Sequence, residues 1–414
     1  MNLGPTNTAA IVLSGGAAYA AYEVGVVKAL LAGDSPATDY LPLDPAVVVG
    51  TSAGALNATV LVAELERGAR HAVEYLEAMW RERIADRPNS CGNGVYRLRG
   101  DVTRFVDPGC VRPHPLQPLA AASEDLLYLA KDTAERTLSF LSSRESPLRR
   151  LVQLVNLHTV FALDPFKSLL TSVVRPQAVL SSPRTLGILT TNWRTGLAEV
   201  FKNHDMTENR WMSILLASAS IPGLPPVDVD GAPHADGAYV ANTPIVPAIE
   251  YGADTLHVVY LDPDPSRLPV ESIESTIGLM DKIYLLLVAS AFNRDIHIVR
   301  DVNRGLQVLA GGARSKVHDL AMELSLTRSM AWIDSAAATG ITLRPITLHR
   351  YRPRAYLGGL LGQMNFDDRR IASLIDLGYR DAVTHDCDES HCVFPDIFRI
   401  PSDVPTDRAT ASVV

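Results

Sequence analysis

The chain has 414 residues, 47% hydrophobic and 20% charged, with 38 Lys and Arg against 46 Asp and Glu for a net charge of −8. That length calls for two domains or one large core with insertions, and the composition excludes general disorder. The acidic excess argues against nucleic acid as a partner and against bulk capture by an anionic membrane.

No stretch approaches the roughly 18 apolar residues of a membrane span; the nearest is Ile283 to Phe292. Met1 to Asn7 carries no positive charge ahead of a short apolar run, which predicts no signal segment and a cytoplasmic protein, with peripheral membrane contact left open. The four cysteines, Cys91, Cys110, Cys387 and Cys392, suit a reducing compartment without a disulfide framework.

Ala9 to Ser14 reads as a buried strand, followed by the small-residue loop Gly15-Gly16-Ala17-Ala18-Tyr19-Ala20 and a helix to about Leu31. Strand, small-residue loop and helix make an anion-binding turn, because unpaired amides and the helix dipole converge on one point. The spacing matches neither a dinucleotide fingerprint nor a P-loop, leaving oxyanion stabilisation or a tight packing turn.

Val47-Val48-Val49 then runs into Gly50-Thr51-Ser52-Ala53-Gly54, with an Ala/Leu-rich helical pattern starting past Ser52. This is a nucleophile elbow: the turn strains the serine backbone, and the close approach of neighbouring chain requires glycine at Gly50 and Gly54. Helices are predicted over 53–66 and 70–84. Between 88 and 165 glycines and prolines loosen the pattern around two helical stretches, predicting a helical insertion or lid.

Strands resume near 185–191 and 198–202, and a helix from Trp211 ends at the prolines after Ile221. His234-Ala235-Asp236-Gly237-Ala238 is a turn-rich loop with one carboxylate, ahead of a helix at 244–251 and a strand at 255–261. Helices near 273–302 and 316–337, a strand at 341–349 and a closing amphipathic helix with Ile371, Leu374, Ile375 and Gly378 on one face give a helical C-terminal extension over 270–400. Residues 401–414 read as a disordered tail. The stretch from His385 to Cys392 holds two Cys and two His, but its Cys-x4-Cys loop has no second knuckle and adjacent His391 and Cys392 suit one tetrahedral ion poorly, so it reads as a polar surface loop and no metal is expected.

Taken in order, the loop at Gly15-Gly16, the Gly50-x-Ser52-x-Gly54 elbow and Asp236-Gly237-Ala238 resemble the patatin-like phospholipases, as do the phrases Tyr22 to Leu30, Ser220-Ile221-Pro222-Gly223 and Ala241 to Pro244. The resemblance covers about residues 8–262 and returns at 366–382. It implies a three-layer α/β/α hydrolase fold with a mainly parallel central sheet over residues 1–400, a fatty-acyl ester or phospholipid substrate, and no cofactor. It also implies Ser52 as nucleophile, Asp236 as its partner, and the amides of Gly15, Gly16 and Ala17 as oxyanion hole, supported by Gly50, Gly54 and Gly237.

The loop departs from the family pattern at Ala17, Tyr19 and Ala20, where glycine, a cation and glycine are usual. An alanine keeps the donor if its φ stays negative, whereas Tyr19 replaces a charge beside the site with a phenol. A Ser-Asp dyad needs the carboxylate desolvated enough to act as base, so Asp236 is expected to be buried. A triad with His257 or His349 is the rival reading. Ile283 to Val288 reads as an acyl-channel wall or ordinary core, and Arg344, Arg350, Arg352 and Arg354 as an anionic head-group patch or a solvated strand end. Acyl transfer to a small-molecule acceptor and a weakly active lipid-binding role are the alternatives to hydrolysis. Oligomeric state is open.

Overall fold

The computed structural model describes residues 8–87, 91–99, 108–112, 116–142, 161–221, 223–262, 296–304 and 344–395, with single positions at 279, 282, 283, 286 and 306. The central sheet contains β1 (Ala9–Leu13), β2 (Val47–Thr51), β5 (Thr185–Asn192), β6 (Leu197–Lys202), β7 (Val227–Val229), β8 (Ala232–Asp236), β9 (Thr255–Val259) and β10 (Thr347–Tyr351); β3 (Arg97–Leu98) and β4 (Phe161–Ala162) form a separate small pair. Its order is β10-β9-β1-β2-β5-β8-β7, with β6 also on β5. The strands from β10 to β5 are parallel, and β6, β7 and β8 add antiparallel pairing.

The parallel strands are continuous apolar runs because both faces are covered. Ile11 and Leu13 point to one apolar layer, Ala10 and Val12 to the other. The first layer holds α1 (Ala21–Ala32), α2 (Ala53–Leu65), α3 (Ala69–Ala78) and, further on, α6 (Asp164–Val173) and α8 (Trp211–Ser218). The second holds α9 (Ile245–Glu250) with Ile296, Val299 and Val302. The chain also has the short helices α4 (Pro108–Val111), α7 (Pro176–Leu180) and α10 (Gly359–Gln363), the long helix α5 (Leu116–Ser142) and the closing helix α11 (Asp368–Val383).

Helix α1 is apolar nearly all round, and α11 supplies the cover on its outer side. The two backbones touch: a Cβ at Gly25 would overlap Ile375 O, and one at Gly378 would overlap Tyr22 O. Helix α11 is amphipathic, burying Ile371, Leu374, Ile375 and Gly378 as its spacing predicts, and Asp367 caps it by accepting from the amides of Arg369 and Arg370 at 3.1 and 3.2 Å.

One detail of strand pairing builds the site. Leu189 of β5 pairs with Thr51 of β2 on one side and Val200 of β6 on the other; the next residue, Thr190, pairs with Glu199 of β6 and Asp236 of β8. Strand β8 therefore takes over the edge of β5 where β2 stops. The end of β2 and the end of β8 meet there, one residue apart along β5.

Several expectations shift. Helix 70–84 is α3 followed by a wider π-type turn over Met79–Ile84, and the late strand sits at Thr347–Tyr351. Cys91 and Cys110, nineteen residues apart in sequence, form a disulfide, so the expectation of cysteines without a disulfide framework is corrected. The predicted helix over 316–337 and the tail at 401–414 lie outside the described residues. Of the helix proposed as channel wall or core, Ile283 and Leu286 are each about half exposed. The arginine-rich strand is engaged rather than free: Arg344 pairs with Asp254 at 3.4 Å, Arg350 donates to His391 O at 3.2 Å, and Arg354 pairs with Glu389 at 3.1 Å. Among the described residues no helix is long and apolar enough to cross a membrane.

Candidate active site

Ser52 occupies the turn from β2 into α2 with φ 55° and ψ −125°, a conformation an L-residue adopts only under constraint. The constraint comes from close approach. A Cβ on Gly50 would overlap Gly54 O, and one on Gly54 would sit 2.6 Å from Ser14 O. The Ser52 amide donates to Ser218 Oγ at 2.9 Å, and Ser218 in turn donates to Leu189 O at 2.7 Å, so the end of α8 holds the turn from behind.

Asp236 ends β8 and is 2% exposed. Its main chain is fixed by donation to Ser220 O at 3.1 Å and by the Thr191 hydroxyl on its carbonyl at 2.8 Å. Oδ1 accepts from the amide of Ala238 at 2.8 Å. Oδ2 is buried and has no partner of hydrogen-bond geometry. Burial raises the carboxyl pKa to about 7, held back by the nearby Ser52 hydroxyl and the Ala238 amide. The Ser52 hydroxyl thus interacts with the carboxylate but stops short of a well-aligned bond, a looseness common in sites without substrate.

The small-residue loop closes the third side. A Cβ on Gly15 would meet Asn242 Oδ1 at 2.6 Å, Ser52 Cβ at 3.0 Å and Ala238 Cβ at 3.6 Å, so this one glycine touches the elbow and the Asp236 loop together. Asn242 clamps it from both directions: its carbonyl accepts from the Gly15 amide at 3.2 Å and its Nδ2 donates to Gly15 O at 3.0 Å. The Gly15 amide is therefore spoken for, which corrects the expectation that it is an oxyanion donor. The amides of Gly16 and Ala17 have no hydrogen-bond acceptor among the described residues.

Ala17 does not keep a negative φ; it lies at +47°. The premise under which alanine was an easy replacement is thus corrected, since a left-handed alanine carries roughly 1–2 kcal/mol of strain. Tyr19 also departs from its expected place beside the serine. It is buried, and its hydroxyl donates to Gly359 O at 2.8 Å at the start of α10.

Behind the loop lies a polar network whose roles the sequence reading did not assign. Glu23, fully buried in α1, accepts from the Ser14 amide at 2.7 Å and from Asn57 Nδ2 at 2.9 Å, and burial raises its pKa well above the usual carboxylate range. Asn57 also donates to Ala20 O at 3.0 Å and accepts from Trp80 Nε1 at 2.7 Å. Both ends of the small-residue loop are thereby tied to α2. The available signal was two polar residues inside otherwise apolar helical faces, at Glu23 and Asn57.

Ser52 and Ala17 open on a narrow cavity of about 50 Å³, walled by Leu56, Trp80, Ile84, Tyr96, Phe161, Phe166, Met364, Phe366 and a few further apolar residues. Among the described residues no charged side chain lines it. Neither Ile283 nor Leu286, the two described residues of the stretch read as a channel wall, lines it.

The two histidines of the rival triad face elsewhere. His257 Nδ1 meets the Tyr351 hydroxyl at 3.1 Å, and its ring stacks on His349 at 5.0 Å. His349 Nδ1 faces Cys387 Sγ at 3.5 Å. Burial lowers the pKa of both, His349 to about 4.

Three comparisons with known proteins bear on the family of the chain. The model of the family described as patatin-like phospholipase matches residues 11–249, more than half of the chain. No curated protein matches it. Among solved structures the chain is similar to VipD from Legionella pneumophila, at 14% identity and a TM-score of 0.35 over 94% of this chain and 68% of that one.

Proposed function

Because the chain belongs to the patatin-like phospholipase family, we propose that it is a serine lipid acyl hydrolase working through a Ser52–Asp236 dyad. Family membership supports lipid acyl hydrolysis in general terms; the assignment of residues rests on the site. The observation that carries it is the Asp236 carboxylate: buried, half neutralised near pH 7, and keeping an unpartnered oxygen in the company of a strained serine.

In this reading Ser52 Oγ attacks the ester carbonyl and passes its proton to Asp236 Oδ2. Charge that develops on the carbonyl oxygen is met by the amides of Gly16 and Ala17. Asp236 then gives the proton to the departing alcohol, leaving an acyl-Ser52 ester. Water enters, Asp236 takes its proton as the hydroxyl adds to the acyl carbon, and the second oxyanion collapses to release the fatty acid while Asp236 returns the proton to Ser52 Oγ. Oδ1 keeps its bond to Ala238 throughout, so the carboxylate does not rotate as it titrates. A carboxyl with a pKa of about 7 is a far better base for an alcohol than an exposed aspartate, which is why no histidine is required.

The apolar cavity favours an aliphatic acyl chain beside Ser52 with the polar head outside. Nothing in the site calls for a metal in catalysis, since base and oxyanion donors come from the chain. The test is acyl release from short-chain nitrophenyl esters, phospholipids and lysophospholipids, comparing wild type with Ser52→Ala and Asp236→Asn. Loss of roughly 10³-fold or more in both variants is expected; turnover that survives Ser52→Ala would remove the dyad.

A further inference from the structure

Away from the site, β10 and the segment after α11 bring four metal-binding side chains into one cluster: His349, His385, Cys387 and Cys392, with a donor atom of each within 4.8 Å of the others. From this geometry we propose that the chain binds a structural zinc ion through these two thiolates and two imidazoles. The sequence reading set a metal aside because the Cys-x4-Cys loop lacks a second knuckle. The missing ligand is His349, 38 residues before Cys387 and delivered by the edge strand. His391, the histidine that fitted poorly beside Cys392, is turned out to solvent and is not needed.

The spacing fits zinc. Bonds of about 2.3 Å to sulfur and 2.0–2.1 Å to nitrogen, at tetrahedral angles, place a ligating sulfur and nitrogen roughly 3.6 Å apart. The pairs Cys387 Sγ with His349 Nδ1, Cys387 Sγ with His385 Nε2, and Cys392 Sγ with His385 Nε2 stand at 3.5, 3.5 and 3.4 Å. A mixed sulfur and nitrogen set of this shape selects zinc over the oxygen-seeking cations. Coordination expels both thiol protons, and the two thiolates cancel the charge of the ion, which suits a half-buried position.

The surroundings orient the ligands. The Arg350 amide donates to Cys392 Sγ at 3.4 Å, and the ring of His349 is held by its stack on His257. Leu348 and Val393 pair on either side of the cluster through bonds of 2.7 and 2.9 Å. Cys387 and Cys392 are both unbridged while the other two cysteines are joined. Four protein ligands leave no open position, so the ion is structural: it clips the segment after α11 to the edge strand β10.

The test uses the full chain, purified under reducing conditions without chelator from cells grown with zinc. Elemental analysis of wild type and His391→Gln is expected to give about one zinc per chain, with background levels in Cys387→Ser and in Cys392→Ser. Cobalt(II) added to metal-stripped wild type should give the visible bands of a tetrahedral site and the thiolate charge-transfer band, a readout that does not depend on the variants folding. A wild-type chain that carries no zinc and takes up no cobalt would overturn the proposal. So would metal content equal in Cys387→Ser and wild type, or a Cys387–Cys392 disulfide that re-forms in place of metal binding when zinc is supplied to the reduced chain.

Discussion

Replacing Asp236 by asparagine removes one titrating group while keeping the shape and the acceptor for the Ala238 amide. In the folded chain this carboxyl holds its proton to about pH 7, against an ordinary value of 3.8. Between those two values the native state binds more protons than the unfolded state, so the contribution of Asp236 to stability is complete below pH 3.8 and is lost progressively as pH rises to about 7. About three pKa units correspond to about 4 kcal/mol over the whole range, and to about 3 kcal/mol between pH 5 and pH 8. Urea unfolding of wild type and Asp236→Asn at several pH values reads this directly: the variant should gain on wild type by about that amount between pH 5 and 8. The rate should move the other way, with wild-type kcat/KM rising toward a plateau above pH 7 as the base ionises, and the variant nearly inactive throughout. A stability difference that stays flat over this range would show that Asp236 ionises like an exposed aspartate, and the dyad would lose its base.

Other substitutions test the frame of the site. Glu23→Gln keeps an acceptor for the Ser14 amide but changes the Asn57 contact; acyl release is expected to fall by about tenfold at little cost to folding, read as kcat against a circular dichroism melt. Gly15→Ala puts a methyl against Asn242 and Ser52 and should abolish turnover by moving the oxyanion loop. Gly362→Ala collides with the Tyr19 hydroxyl and with Leu357 O; a loss of about 1–3 kcal/mol is expected, partly recovered in combination with Tyr19→Phe, as a double-mutant cycle in urea would measure. Leu56→Trp narrows the cavity and should shift preference in an ester panel toward shorter acyl chains without raising activity on any of them.

The parts of this molecule that repeat a local rule were readable in advance. Val47 to Gly50 could only be a buried strand, the Gly50-x-Ser52-x-Gly54 turn announced its strain, and the spacing of Ile371, Leu374, Ile375 and Gly378 identified the buried face of α11. Pairing between distant strands was not readable. Only the change of neighbour on β5 reveals why an aspartate 184 residues after the serine lies beside it. The conformation of the loop from Gly15 to Ala20 was misjudged because a backbone dihedral is set by tertiary contact: Ala17 is driven to positive φ, and Asn242 takes the Gly15 amide. The bridge between Cys91 and Cys110 was missed for the same reason, since it joins residues nineteen apart in sequence.

The crossing of α1 and α11, glycine against backbone on both sides, also bears on how the chain is made. The segment that resembles the family stops at 249, yet α1, which leads directly out of the oxyanion loop, keeps a bare apolar flank until residues 368–383 arrive to cover it. During synthesis the serine, the aspartate and the loop all emerge before that helix does. A nascent or clipped chain lacking it would hold the chemical groups without the brace that sets their spacing.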